Sequence, residues 1–154
     1  MAVMKTILVA LDASPRSPYV LAEAIAIATR TSARLVLVRA VPLPVELPTD
    51  AYIMPPTQLG PMLLQSARKA LEELAAAVPA PMGSPTGVET RVELGTPWTV
   101  ICDEAKRVDA DLVVIGSHGY STMDRLLGTT ASRVVNHIDR SVLVVRLRQP
   151  VAAG

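Results

Sequence analysis

Four short apolar runs constrain this chain more than any other feature: Ile7 to Leu11, Leu35 to Val38, Leu112 to Ile115 and Val142 to Val145. No polar residue interrupts them. A run of four or five apolar residues bounded by polar ones reads as a strand covered on both faces, as in a parallel sheet. Helical patterns lie between the runs. From about 18 to 31, Val20, Leu21, Ala24, Ile25 and Ala28 recur at spacings of three and four, the period of a helix face. Residues 62 to 78 are rich in good helix formers. Gly95-Thr96-Pro97 opens a third helix, with Thr96 as cap and Pro97 in its first turn, running towards Val108. A fourth is expected over 129 to 137.

One more strand is expected where the pattern alternates. VETRVEL, 88 to 94, has period two and reads as a half-exposed edge strand. With strands over 4–11, 34–41, 111–115 and 141–147, the order is strand and helix in strict alternation, five strands in all. That order predicts one domain over 1–154, a three-layer α/β sandwich around a mainly parallel sheet ordered 3-2-1-4-5. Pro15 and Pro18 suit a first helical turn, and either Ser14 or Ser17 is a candidate cap there.

Two stretches resist this pattern. Six of the twenty residues from 42 to 61 are prolines, a density expected to exclude regular helix and central strand. We read 42–61 as an extended loop or flap, too long for an ordinary connection. Residues 79 to 87 form a second loop, and 148–154 a tail.

The overall composition narrows the partners. Fifteen basic and fourteen acidic residues leave a net charge of +1 with no basic face, which argues against nucleic acid or an anionic membrane. Four aromatics in the whole chain supply no stacking platform for single strands. The N-terminal apolar run is too short to span a membrane and ends in Asp12. Cys102 is the single cysteine, so no internal disulfide forms and a cytoplasmic setting is expected.

The richest stretch for chemistry is 115–132, IGSHGYSTMDRLLGTTAS. It leaves the fourth strand, passes Gly116, Gly119 and Gly128, and meets Thr129 and Thr130 at a helix start. Glycine permits positive φ and close approach of main chain to a ligand, consecutive N–H groups form anion nests, and a helix N-terminus favours phosphate. In a sheet ordered 3-2-1-4-5 the strand order reverses between strands one and four, where ligands bind. Asp12 leaves strand one at that point and Gly116 leaves strand four. Asp12 suits a ribose hydroxyl or a magnesium ion rather than phosphate itself. The GxxxxGK[ST] loop is absent, as is GxGxxG after strand one. The alternative is that the three glycines only shape a turn and cap a helix.

The opening strand ending in VALD, the Pro-rich segment after strand two, GTP before the third helix, DLVVIGSHG, LLGTTASRVV and the closing SVLVV together resemble the universal stress protein family over essentially the whole chain. The resemblance implies an adenine nucleotide alpha-hydrolase-like, Rossmann-like fold and binding of ATP, ADP or AMP, with Mg2+. The nucleotide-binding members carry G-x2-G-x9-G-[ST]. Here eight residues, not nine, separate Gly119 from Gly128.

By position, the resemblance gives Ala10 an apolar contact to the base and Asp12 the ribose or metal. It gives Val41 a main-chain contact to adenine and Ile115 packing near base or ribose. Gly116 and Gly119 would line ribose and phosphates, and Gly128, Thr129 and Thr130 would meet the phosphates. It also implies a homodimer through the last strand. Independently, Ser141 to Leu147 is apolar on both faces yet would lie at a sheet edge, which invites pairing with another chain.

Other residues read more plainly. His118 lies in the glycine loop without a histidine cluster. His137 suits a helix C-terminus. Cys102 reads as core and Trp98 as packing. Asp124 reads as a turn cap. Arg125 and Arg133 are the cations nearest the expected phosphates, or else surface ion-pair partners. Glu72 and Glu73 lie on an exposed helix face. Three functions remain open: a nucleotide-binding regulatory module of the stress response, a slow ATPase, and a nucleotide-free dimeric interaction protein of the same fold. No residue stands out as the general base that an ATPase needs.

Overall fold

A computed structural model describes residues 3–42, 56–80, 88–117 and 128–147. Among these, strands and helices alternate as β1 (Thr6–Ala10), α1 (Ser17–Thr31), β2 (Arg34–Val41), α2 (Pro56–Ala75), β3 (Glu89–Leu94), α3 (Pro97–Arg107), β4 (Leu112–Gly116), α4 (Thr129–His137) and β5 (Ser141–Val145). The five strands form one sheet ordered β3-β2-β1-β4-β5. Every neighbouring pair is parallel. This is the three-layer α/β sandwich that the alternation implies.

The apolar runs explain the layering. In β1, Ile7, Leu8 and Val9 are fully buried. Side chains alternate across a strand, so Ile7 and Val9 join Val20, Leu21, Ala24 and Leu71 under α1 and α2. Leu8 joins Val100, Ile101, Ala105 and Val134 under α3 and α4. Two helices cover each face, and the central strand meets apolar side chains on both.

One expectation is corrected. The helix expected from about 62 begins at Pro56, so 56–61 belongs to α2 and not to the loop. Pro56 costs nothing as the first helical residue. Pro61 lies inside the helix with its ring on the exposed side. Next to it Gly60 is buried, where an added Cβ would lie 3.6 Å from Leu94 of β3. Packing on β3 thus holds these turns together against the local cost of proline. Residues 43–55 and the tail from 148 lie outside the described residues.

The sheet has two edges of opposite character. β3 is half-buried throughout and carries Glu89, Arg91 and Glu93. Their charges run into α3: Arg107 pairs with Glu89 and Glu104, and Arg91 pairs with Glu93 and Glu104. Arg34 closes the chain at Glu89. The Arg107 hydrogen bond is the main reason the Glu89 carboxyl titrates below its ordinary range. β5, at the other edge, holds no charged residue, and its four apolar side chains are only half-buried.

Candidate functional site

The carboxyl ends of β1 and β4 diverge towards different helices, and a crevice of about 160 Å³ opens between them. Part of its lining is apolar: Ala10, Val38, Ala40, Ile101 and Ile115, with Pro97 at the first position of α3. Asp12, Ser14, Arg16, Ser17, Ser117 and Thr130 supply polar lining. The loop after β1, the first turn of α3 and the first turn of α4 all face this one space.

Local hydrogen bonds shape the β1 loop. The Asp12 carboxylate accepts the Ser14 N–H at 2.9 Å, a turn in which an aspartate imitates the backbone. The Ser17 hydroxyl donates to the Asp12 carbonyl at 2.8 Å and accepts the Asp12 N–H at 3.1 Å. Ser17 is buried, so the loop is tied to the body of the protein. Neither Ser14 nor Ser17 caps α1. Arg16 occupies that position without a side-chain cap, because the Ser17 hydroxyl is engaged with Asp12. Pro18 is the second helical residue.

At α3, Thr96 and Pro97 take the expected cap and first positions, although Thr96 makes no side-chain cap bond. The turn before them needs Gly95. Its φ is +149°, and an added Cβ would lie 3.1 Å from Val100. Its N–H donates to the Val41 carbonyl at 3.0 Å.

Of the residues named from sequence, the structure brings Ala10, Asp12, Ile115, Gly116 and Thr130 to the crevice wall. Val41 is not on the wall; Val38 and Ala40 of the same strand are. Its side chain lies on the opposite strand face from theirs, and its carbonyl is engaged by Gly95. Thr129 is exposed beside the wall, and Gly128 caps α4. Gly119 lies outside the described residues, as do His118, Asp124, Arg125 and the spacer from 120 to 127.

The reason for two glycines is corrected. Gly116 does not adopt positive φ. Its hydrogen matters because a Cβ would lie 3.0 Å from Val20 of α1. Gly128 has φ −57° and ψ 160°, open to any residue.

Arg16, which the sequence does not single out, lines the crevice. Of the two cations expected nearest the phosphates, Arg125 lies outside the described residues and the Arg133 guanidinium lies 5.9 Å from the Trp98 ring centre. Trp98 also stacks on His137, with ring centres 4.6 Å apart, and the His137 Nδ1 sits 2.8 Å from the Arg133 carbonyl. The signal for Arg16 was present: it is a cation just before a helix, after Asp12. Cys102 is buried, and burial pushes its thiol above the ordinary range, as suits a core residue.

An adenine ring suits the apolar lining, and hydroxyls with helix N-termini suit ribose and phosphate. A metal is less well served. Asp12 is the one carboxylate among the described lining residues. Among the described residues, no group of three or more histidine, cysteine or acidic side chains is gathered to hold an ion. The site fits magnesium only as an ion carried largely by phosphate and water.

The model of the universal stress protein family matches residues 4–146. Universal stress protein A homolog 1 of Coxiella burnetii is 30% identical over 146 residues, covering 94% of this chain and 98% of that protein. The universal stress protein UspA from Lactobacillus plantarum is 30% identical with a TM-score of 0.69, over 95% of this chain and 100% of that one. A universal stress protein solved in complex with cAMP has the same fold, with a TM-score of 0.60 at 24% identity, over 94% and 98% of the two chains.

Proposed function

We propose, from the premise that this chain belongs to the universal stress protein family, that it is an ATP- or AMP-binding regulatory module of the cytoplasmic stress response. It acts as a homodimer and carries no strong catalytic activity. The observation that carries this reading is the mixed lining of the crevice. Apolar residues of β1, β2, β4 and α3 suit a base, and the hydroxyl residues near the starts of α1 and α4 suit ribose and phosphate. In this reading Asp12 accepts a ribose hydroxyl, and Thr130 with the first N–H groups of α4 meets phosphate. Mg2+, where it takes part, arrives with the phosphates and touches Asp12.

The placing of Asp12 supports the reading of no strong catalysis. Asp12 already accepts the Ser14 N–H and faces the expected ribose, which leaves it poorly placed to activate water.

Isothermal titration of the purified protein with ATP, ADP, AMP and cAMP tests the reading. cAMP is included because a protein of this fold has been solved with it. Micromolar binding of at least one is expected. A ligand at 100 times its Kd then adds about 2.7 kcal/mol of stability in a thermal melt. No heat with any of them at millimolar concentration leaves the nucleotide-free interaction protein in its place.

A further inference from the structure

We propose that Ser17 is the positioning residue for Asp12: its buried hydroxyl holds the carboxylate where it accepts a sugar hydroxyl, so that the crevice prefers ribonucleotides to nucleotides whose sugar lacks hydroxyls. The inference rests on the nucleotide reading above and assigns the residue through which Asp12 becomes selective there.

Asp12 stands where the sheet ladder stops. The Leu11 N–H still donates to the Val38 carbonyl of β2 at 2.9 Å. The next N–H, that of Asp12, donates instead to Ser17 Oγ at 3.1 Å. The same hydroxyl lies 2.8 Å from the Asp12 carbonyl and 3.2 Å from Asp12 Oδ1, and its proton is shared between them. One side chain thus meets the amide, the carbonyl and the carboxylate of a single residue. The Ser14 N–H donates to the same Oδ1 at 2.9 Å. Two donors on one oxygen orient the whole carboxylate. A carboxylate accepts about four hydrogen bonds, so this orientation is compatible with a ligand hydroxyl as a further donor.

Burial sets Ser17 apart. Thr6, Ser17 and Glu104 are the buried polar side chains among the described residues. Thr6 and Glu104 hold arginines on the surface. Ser17, 2% exposed, lines the crevice, and its hydroxyl is engaged by Asp12.

A second contact pins the same turn. Val20 lies three residues after Ser17, on the same face of α1, and also lines the crevice. A Cβ on Gly116 of β4 would lie 3.0 Å from it. The start of α1 therefore rests closely on the end of β4 while Ser17 holds Asp12. An acceptor fixed before the ligand arrives loses less freedom on binding. A site built to bond a hydroxyl rejects the analogue without one, because the acceptor then stays unpaired.

The experiment is isothermal titration of the full chain with ATP and AMP and with their 2′,3′-dideoxy analogues, which share base and phosphates. Wild type is expected to bind the ribonucleotide about tenfold tighter than its dideoxy analogue, the scale of one hydrogen bond to a charged group. Ser17→Ala should lose about fivefold for the ribonucleotide and less than about twofold for the analogue. Ser17→Cys, which keeps the volume but is a weak donor and acceptor, should narrow the preference in the same direction and carries the test if Ser17→Ala does not fold. In Asp12→Ala the preference should already be gone, and adding Ser17→Ala should change either affinity by less than about twofold.

Equal losses with both sugars in Ser17→Ala or Ser17→Cys reveal a purely structural tie and overturn the positioning role, as does an unchanged preference. A further selective loss in the Asp12→Ala background overturns it too, since Ser17 would then act without Asp12. Wild type that binds ribonucleotide and analogue equally overturns it while leaving the nucleotide reading intact. Wild type that binds neither ATP nor AMP overturns both.

Discussion

β3 and β5 occupy equivalent positions at the two edges of one parallel sheet, yet the chain treats them in opposite ways. On β3, Glu89, Arg91 and Glu93 alternate with Thr90, Val92 and Leu94; Glu89 and Arg91 pair with α3, and Glu93 pairs with Arg91. Glu104 is buried and joins Arg91 to Arg107. On β5, Val142 and Val144 lean towards α3 and α4, and Leu143 and Val145 towards α1 and α2. None of the four is fully covered. An edge strand offers unpaired backbone groups to any passing strand, and charge is a standard way to blunt it. β3 is blunted and β5 is not. The difference makes β5 the edge at which the proposed homodimer would pair.

The largest test of that contrast is to spoil β5. Val144→Pro and Leu143→Lys are expected to weaken self-association by at least about a hundredfold, since one removes a backbone donor and the other places a charge on the apolar strand. Thr90→Lys on β3 should leave the assembled mass unchanged. Analytical ultracentrifugation reads all three. A wild type that is monomeric at its highest soluble concentration ends the argument for β5.

A smaller effect is expected from opening the β3 network. Glu104→Gln should cost about 1–2 kcal/mol in urea unfolding. That is below the 3–5 kcal/mol of a fully buried pair, because the two arginines it releases are partly exposed and rehydrate. Ser141→Ala at the start of β5 should fall within about 0.5 kcal/mol of wild type. Equal costs at the two edges would remove the distinction.

The smallest effect is on acid stability. The Glu89 carboxyl is held below its ordinary 4.5, first by the Arg107 hydrogen bond and then by the charges of Arg107 and Arg34, against desolvation. A lowered folded pKa stabilises above the unfolded value and is lost as pH falls through the folded one. Urea midpoints should therefore drop below about pH 4.5, and Glu89→Gln should flatten part of that drop. The share is below about 1 kcal/mol, because Glu89 is 36% exposed and solvent screens the pair. Asp111, just before β4, contributes with the same sign. Its carboxyl is lowered by the Lys5 and Thr6 N–H groups, so Asp111→Asn separates the two. β5 has no titrating side chain and should contribute nothing.

Legibility in the sequence followed the range of the interaction. β1 was readable because Ile7 to Leu11 must be apolar on both faces at the centre of a three-layer sheet. Thr96-Pro97 was readable because a cap and a first-turn proline act within four residues. The start of α2 was not, because Pro56 and Pro61 speak locally while Gly60 packs on Leu94, 34 positions away. Gly116 was noticed for its flexibility, but its reason is contact with Val20 across the crevice. Arg16 was passed over because a lone cation carries no signal until three helix starts are seen to face the same space.

The alternation of apolar runs and helical patterns was enough, by itself, to determine a five-stranded parallel sheet and to set the Asp12 turn against the Gly116 strand end. Periodicity and handedness are local rules, and they leave few ways to wind such a chain. Which face of β2 meets the crevice, which serine holds Asp12 and which arginine lines the crevice were decided only by tertiary structure. Those outcomes depend on distances between residues far apart in the chain, and no local pattern encodes them.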